Sequence, residues 1–147
     1  MVNFLPRSAE LTTMVYPTEL EEKVKNIFTY LIGDYFSFRE ERITSHYGYS
    51  FKVLTVKLDG KKAASLLKKV ICKMDELDFL KFIDRLGNYV DGRNLYIRLK
   101  KQDIILGRFG LYEGESGGYI RIKVTFKRPD LQAIREYIRN MRELECT

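Results

Sequence analysis

A chain of 147 residues with 45% hydrophobic content has material for one substantial core, and its length fits a single domain over residues 1–147 better than two. Its 26 basic side chains exceed its 20 acidic ones for a formal charge of +6, a balance that favours anionic partners such as nucleic acid or a membrane surface. No run approaches the ~18 to 20 apolar residues that span a bilayer, the first residues lack a basic-then-apolar leader pattern, and two isolated cysteines give no disulfide framework or zinc site to expect.

The stretch SAELTTMVY at 8–16 alternates Ala9, Leu11, Thr13 and Val15 with more polar neighbours and then meets Pro17, which predicts a strand. Thr18 as N-cap with Glu21 three residues on predicts a helix start, and Leu20, Val24, Ile27, Phe28 and Leu31 supply its apolar face up to Gly33. Residues 35–44 and 49–59 are aromatic and β-branched around a turn at Gly48, the pattern of two strands. Two helices follow, one with Ala64, Leu67, Val70, Ile71 and Met74 inward, the next capped by Asp75 with Leu77, Leu80, Ile83 and Leu86 inward.

After the turn DGRN come three strand-like runs at 95–101, 104–112 and 119–127, and a last helix with Leu131, Ile134, Ile138 and Met141 on one side. The glycines around Phe109 in the middle run mark a bulge or a close backbone approach. Strands in runs separated by helices predict an α+β domain: two layers, a mainly antiparallel sheet with helices packed on one face.

The sequence YIRLK at 96–100 returns as YIRIK at 119–123. Side chains alternate faces along a strand, so Leu95, Ile97 and Leu99, and likewise Ile120, Ile122, Val124 and Phe126, should rest on the helices. Tyr96, Arg98 and Lys100 with Tyr119, Arg121 and Lys123 then point the other way, two rings and four cations on one face. That mixture suits RNA, since cations attract phosphates and rings stack on splayed bases. It also suits a merely soluble open face, because Tyr is a good strand former and long basic side chains keep such a face hydrated. Charge follows the repeat: residues 93–147 hold 12 basic and 7 acidic side chains, net +5, against 14 and 13, net +1, in residues 1–92. Arg135, Arg139 and Arg142 make a second basic row on the last helix, with Glu136 and Glu143 beside it.

Catalysis finds little support. His46 is the one histidine and has no nucleophile motif beside it; a turn position leaves it free to hydrogen-bond locally or to contact RNA. The carboxylates Glu19, Glu21, Glu22, Asp75, Glu76 and Asp78 open helices, where capping and the helix dipole account for them. The Gly-rich YEGESGGYI at 112–120 lacks the Gly-Lys-Ser/Thr ending of a nucleotide loop and reads as a hairpin connection. These residues require no cofactor or metal.

Three stretches, YPTELEEKVKNIF at 16–28, HYGYSFKVL at 46–54 and LYIRLKKQDIILGRFGL at 95–111, resemble the archaeal RNA-binding family described as a predicted exosome subunit. The matching positions are Thr18, Glu19, Lys23 and Val24, then His46 and Gly48, then Tyr96, Arg98, Lys101 and Gln102. Lys100 stands where that family often has Asp, which makes this copy more basic. The resemblance spans nearly the whole chain. It implies a fold similar to ribosomal protein L5, RNA as partner, and a link to archaeal RNA processing or degradation with exosome or ribosomal components; it adds Lys101 to the RNA-contacting set. The expectation is therefore a non-catalytic, cytoplasmic RNA-binding protein that docks on no membrane. The competing reading is an interaction or assembly subunit that pairs through exposed strands, as a homo-oligomer or with another protein.

Overall fold

The computed structural model describes residues 5–33, 36–44, 46–114 and 118–146. In chain order these form β1 (Pro6–Val15), α1 (Glu21–Ile32), β2 (Arg39–Thr44), β3 (Ser50–Asp59), α2 (Gly60–Lys73), α3 (Glu76–Asp84), a 3-10 turn (Leu86–Asn88), β4 (Val90–Asp91), β5 (Asn94–Lys100), α4 (Lys101–Ile105), β6 (Tyr119–Phe126) and α5 (Leu131–Leu144). The strands make one antiparallel sheet in the order β2-β3-β1-β6-β5-β4, the α+β architecture that the element order predicts. None of the described helices is long and apolar enough to cross a membrane.

Period-two alternation sets the two faces. Ala9, Leu11, Thr13 and Val15 of β1 lie level with Leu54, Val56 and Leu58 of β3 and with Ile120, Ile122 and Val124 of β6, and β5 adds Leu95, Ile97 and Leu99, all at or below 7% exposure. The inward stripes of α1, α2, α3 and α5 join this face in one continuous core. Each large aliphatic side chain so buried contributes roughly 1.5–3 kcal/mol, which fixes the register and leaves the alternate positions on the other face. Asp59, Asp75 and Asp130 cap α2, α3 and α5 by accepting from the N–H groups of Lys62, Asp78 and Ala133. Gly33 ends α1 at φ +84°, donating its N–H to Thr29 O at 2.8 Å.

Several elements differ from the sequence reading. Helix α1 starts after Leu20, without a Thr18 cap, because Tyr16–Glu19 closes a turn first, Glu19 N–H to Tyr16 O at 2.9 Å. Residues 36–38 precede β2 rather than belong to it: Phe38 and Phe36 pack on Phe28 of α1, the Phe38 ring 4.9 Å away and edge-on; residues 34 and 35 lie outside the described set. In α3 the inward side chains are Phe79, Phe82 and Ile83, with Leu86 beyond, while Leu77 and Leu80 are 74% and 53% exposed. Positions 79, 82, 83 and 86 keep the full i, i+3, i+4, i+7 spacing of a helical face, which the leucine series lacks.

The run 104–112 is not a strand. It holds the end of α4, a reversal at Gly107 with φ +80°, and one isolated bridge from Leu111 to Leu99. Gly110 is the close backbone approach: its Cα lies against the Asp103 carboxylate with no room for a Cβ. Finally, Cys72 and Cys146, which gave no reason to expect pairing, form a disulfide between α2 and the chain just beyond α5.

Candidate nucleic-acid interface

The two copies of the pentapeptide are neighbours. Antiparallel pairing of β5 with β6 sets Tyr96 opposite Lys123, Arg98 opposite Arg121 and Lys100 opposite Tyr119, so the copies run head to tail. Each arginine crosses the strand gap to the tyrosine of the other copy: the Arg98 guanidinium lies 5.2 Å from the Tyr119 ring centre and that of Arg121 lies 5.6 Å from the Tyr96 ring. Such cation–π contacts hold the flat guanidinium groups against the sheet.

The central rung is two like charges face to face, an arrangement that is unfavourable without an anion. Its next neighbour across the sheet is Thr12 of β1, and neither arginine makes an ion pair with a described residue. Tyr112, which closes the strand-like run 104–112 and opens the Gly-rich loop in sequence, extends the aromatic surface with its ring 4.8 Å from Tyr119. Lys123 lies opposite Glu10, itself between Lys57 and Lys123. The row therefore presents two paired cations at its centre, rings around them and a further cation at one side. At the outer edge of β5, Asn88, Tyr89, Tyr96, Arg98, Leu111 and Tyr112 surround a cavity of about 250 Å³.

Two of the residues read as RNA contacts stand elsewhere. Lys101 is 3% exposed. Its ammonium donates to Glu19 Oε1 and Oε2 at 2.7 and 2.9 Å and to Met14 O at 2.9 Å, and lies 4.8 Å from the Tyr16 ring centre. β5 ends at Lys100, so strand alternation no longer governs the next residue, which turns inward. Around it Gly118 comes in at φ +78°, where a Cβ would stand 2.9 Å from Lys101 Cε. Burial, and next the Glu19 carboxylate, hold the Tyr16 phenol above its ordinary pKa. His46 is exposed on the β2–β3 connection, edge-on to Tyr47 at 5.5 Å, with β1 between its hairpin and the row.

The motif residues at the start of α1 and at the end of β5 thus share one place. Thr18, Glu19, Lys23, Val24, Lys101 and Gln102 all border the same groove between α1 and α4, tied by the Lys101–Glu19 ion pair. This is a scaffold role, legible in the sequence only as two separate motifs. The helix-opening carboxylates are also engaged: Glu21 pairs with Lys25 and Lys52 at 3.0 and 2.7 Å, and Asp78 accepts from Leu111 N–H at 3.2 Å. Arg142 leaves the supposed basic row on α5; its Nη1 donates to Ile71 O and Met74 O at 2.7 and 2.5 Å, closing the end of α2.

Against known proteins, a family model described as "RNA binding" matches residues 8–127. An uncharacterized protein of Methanocaldococcus jannaschii is 28% identical over 129 residues, covering 82% of this chain and 84% of its own. Among solved structures, a Sulfolobus solfataricus protein of the DUF54 family superposes with a TM-score of 0.77 at 22% identity, over 94% of this chain and 98% of its own. A DUF54 protein of Methanothermobacter thermautotrophicus does so with a TM-score of 0.74 at 24% identity, over 93% and 98%. At these identities the superpositions establish the fold.

Proposed function

We propose, from the premise that this chain belongs to the RNA-binding family, that it is a non-catalytic RNA-binding protein whose contact surface is the row on β5 and β6. The observation that carries the reading is the Arg98–Arg121 rung: two guanidinium groups opposed across a strand pair, each laid on a tyrosine. A phosphate placed on the rung relieves the repulsion and accepts from both forks, while Tyr96 and Tyr119 offer rings to the bases on either side. Lys100 and Lys123 belong to the same surface; Lys101 serves it indirectly by holding the end of β5.

The competing reading, assembly through exposed strands, gains nothing from the sheet edges. β2 presents Arg39, Glu40, Glu41 and Arg42 in succession and β4 has only two residues, both devices that discourage edge pairing. The family resemblance extends the proposal to an accessory part in archaeal RNA processing or degradation in the cytoplasm, with exosome or ribosomal components as partners. Fluorescence anisotropy with a short single-stranded RNA and a matched duplex tests the core of it. Arg98→Ala and Arg121→Ala are each expected to weaken RNA binding about tenfold, the scale of one lost charge-assisted hydrogen bond, with an unchanged unfolding midpoint. Unaltered affinity in both folded variants would remove the row from the RNA surface.

A further inference from the structure

We propose that the cavity at the edge of β5 is a pocket for a single unpaired nucleobase, so that the protein selects single-stranded RNA and discriminates among bases at one position. The assignment rests on the RNA-binding reading of the row. Its walls are built from both sides of the β5 edge. Tyr96 N–H donates to Tyr89 O and Tyr112 N–H to Arg98 O, both at 2.8 Å, so two tyrosines from distant parts of the chain are tied to the strand that carries the row. Tyr89 is braced by Phe82 at 5.1 Å and Tyr112 by Tyr119 at 4.8 Å, and Leu111, 6% exposed, closes the apolar side. A site held this firmly before binding loses little freedom on binding.

The lining chemistry matches a base rather than an anion or a peptide. Three tyrosine rings supply stacking surfaces that any base can use. Asn88, exposed at the rim, offers an amide with both donors and an acceptor, the pairing capacity of a base edge. Arg98 belongs to the pocket and to the phosphate rung at once, so a nucleotide whose phosphate rests on the rung has its base, or its neighbour's, beside the opening. None of the described residues that line the cavity is acidic. Its volume of about 250 Å³ lies below the roughly 300–1,000 Å³ of sites for drug-sized ligands and suits one nucleoside. A base stacked and paired in a duplex cannot enter, and extruding it costs a few kcal/mol.

The test is an anisotropy series with a short 5′-labelled RNA just long enough to cross the row, intact or with one abasic nucleotide moved along it. One abasic position is expected to cost the unaltered protein about tenfold. In Tyr112→Leu that cost disappears, with intact and abasic RNA binding alike. In Asn88→Ala, at an exposed position that leaves folding unaffected, affinity differences among the four bases at that position shrink. If Tyr112→Leu pays the same abasic cost as the unaltered protein, or Asn88→Ala keeps full base discrimination, while Arg121→Ala still loses affinity, the pocket is wrong and the row stands. If Arg121→Ala, which does not line the pocket, loses nothing, the row fails and the pocket with it.

Discussion

Lys101 and Glu19 form a largely buried ion pair just beyond the end of β5. The ammonium is 3% exposed with three oxygen acceptors around it, whereas the Glu19 side chain retains 26% exposure. Removing either partner leaves a charge behind, but not an equal one. Glu19→Ala strands a desolvated cation with only the Met14 carbonyl and the Tyr16 ring among its described partners and is expected to cost about 3 kcal/mol of unfolding free energy. Lys101→Met fills much of the same volume and leaves a carboxylate that water can reach, so about 1–2 kcal/mol is expected. Urea denaturation of the two variants and of the double variant measures this; a smaller cost for Glu19→Ala than for Lys101→Met would show that the pair is solvated. Both variants should bind RNA with an affinity reduced far less than that of Arg98→Ala, since the Lys101 ammonium is buried and engaged by Glu19 and Met14.

At the level of elements, helices α2 and α5 are joined twice. Arg142 closes the carbonyl end of α2 while lying 4.8 Å from the centre of the Phe79 ring, and the Cys72–Cys146 disulfide links residues 74 apart in sequence. Closing a loop of that length restricts the unfolded chain by about 4 kcal/mol in the loop-entropy treatment. Cys146→Ser is therefore expected to lower stability by about 2–4 kcal/mol in urea, and reductant should do the same to the unaltered protein; equal midpoints with and without reductant would mean that the bridge adds nothing. No local pattern announces such a pairing, which is why two isolated cysteines read as unrelated. The strands were legible for the opposite reason: β1, β3, β5 and β6 each repeat apolar residues every second position against a buried face, and the positions between them, Tyr96 to Lys123, follow by alternation. What sequence could not reveal lies where alternation stops. Lys101 follows the last strand residue and turns inward, the stretch 104–112 has three successive aliphatics of which only Ile104 is buried, and α3 offered two apolar stripes of which the one with complete helical spacing prevailed. Asn88 and Tyr89 lie in turns, which carry no period, and Tyr112 reads in sequence as the end of a strand; only the folded edge of β5 brings the three together.

At the scale of the molecule, charge is distributed differently on the two faces of the sheet. Helix-side polar groups pair among themselves: Lys25 and Lys52 each reach Glu21 and Glu40, bridging α1 to β2 and β3. The arginines of the β5–β6 row make no ion pair with a described residue, and residues 93–147, which supply β5 and β6, carry +5 of the net +6 charge. A surface arranged in this way should bind RNA chiefly by displacing counterions. For single strands log K falls by about 0.7 per neutralised phosphate for each unit of log salt. One phosphate on the Arg98–Arg121 rung and one each at Lys100 and Lys123 make three neutralised phosphates, which predicts a slope near −2. The double variant Arg98→Ala, Arg121→Ala should retain a slope of only about −1.4, whereas Tyr112→Leu should lose affinity at every salt concentration with its slope unchanged, because stacking releases no ions. Titrations across a range of potassium chloride concentrations separate the two contributions. A slope that stayed near −2 in the double arginine variant would place the phosphate contacts elsewhere on the molecule, with the exposed β2–β3 hairpin around His46 as the next surface to substitute.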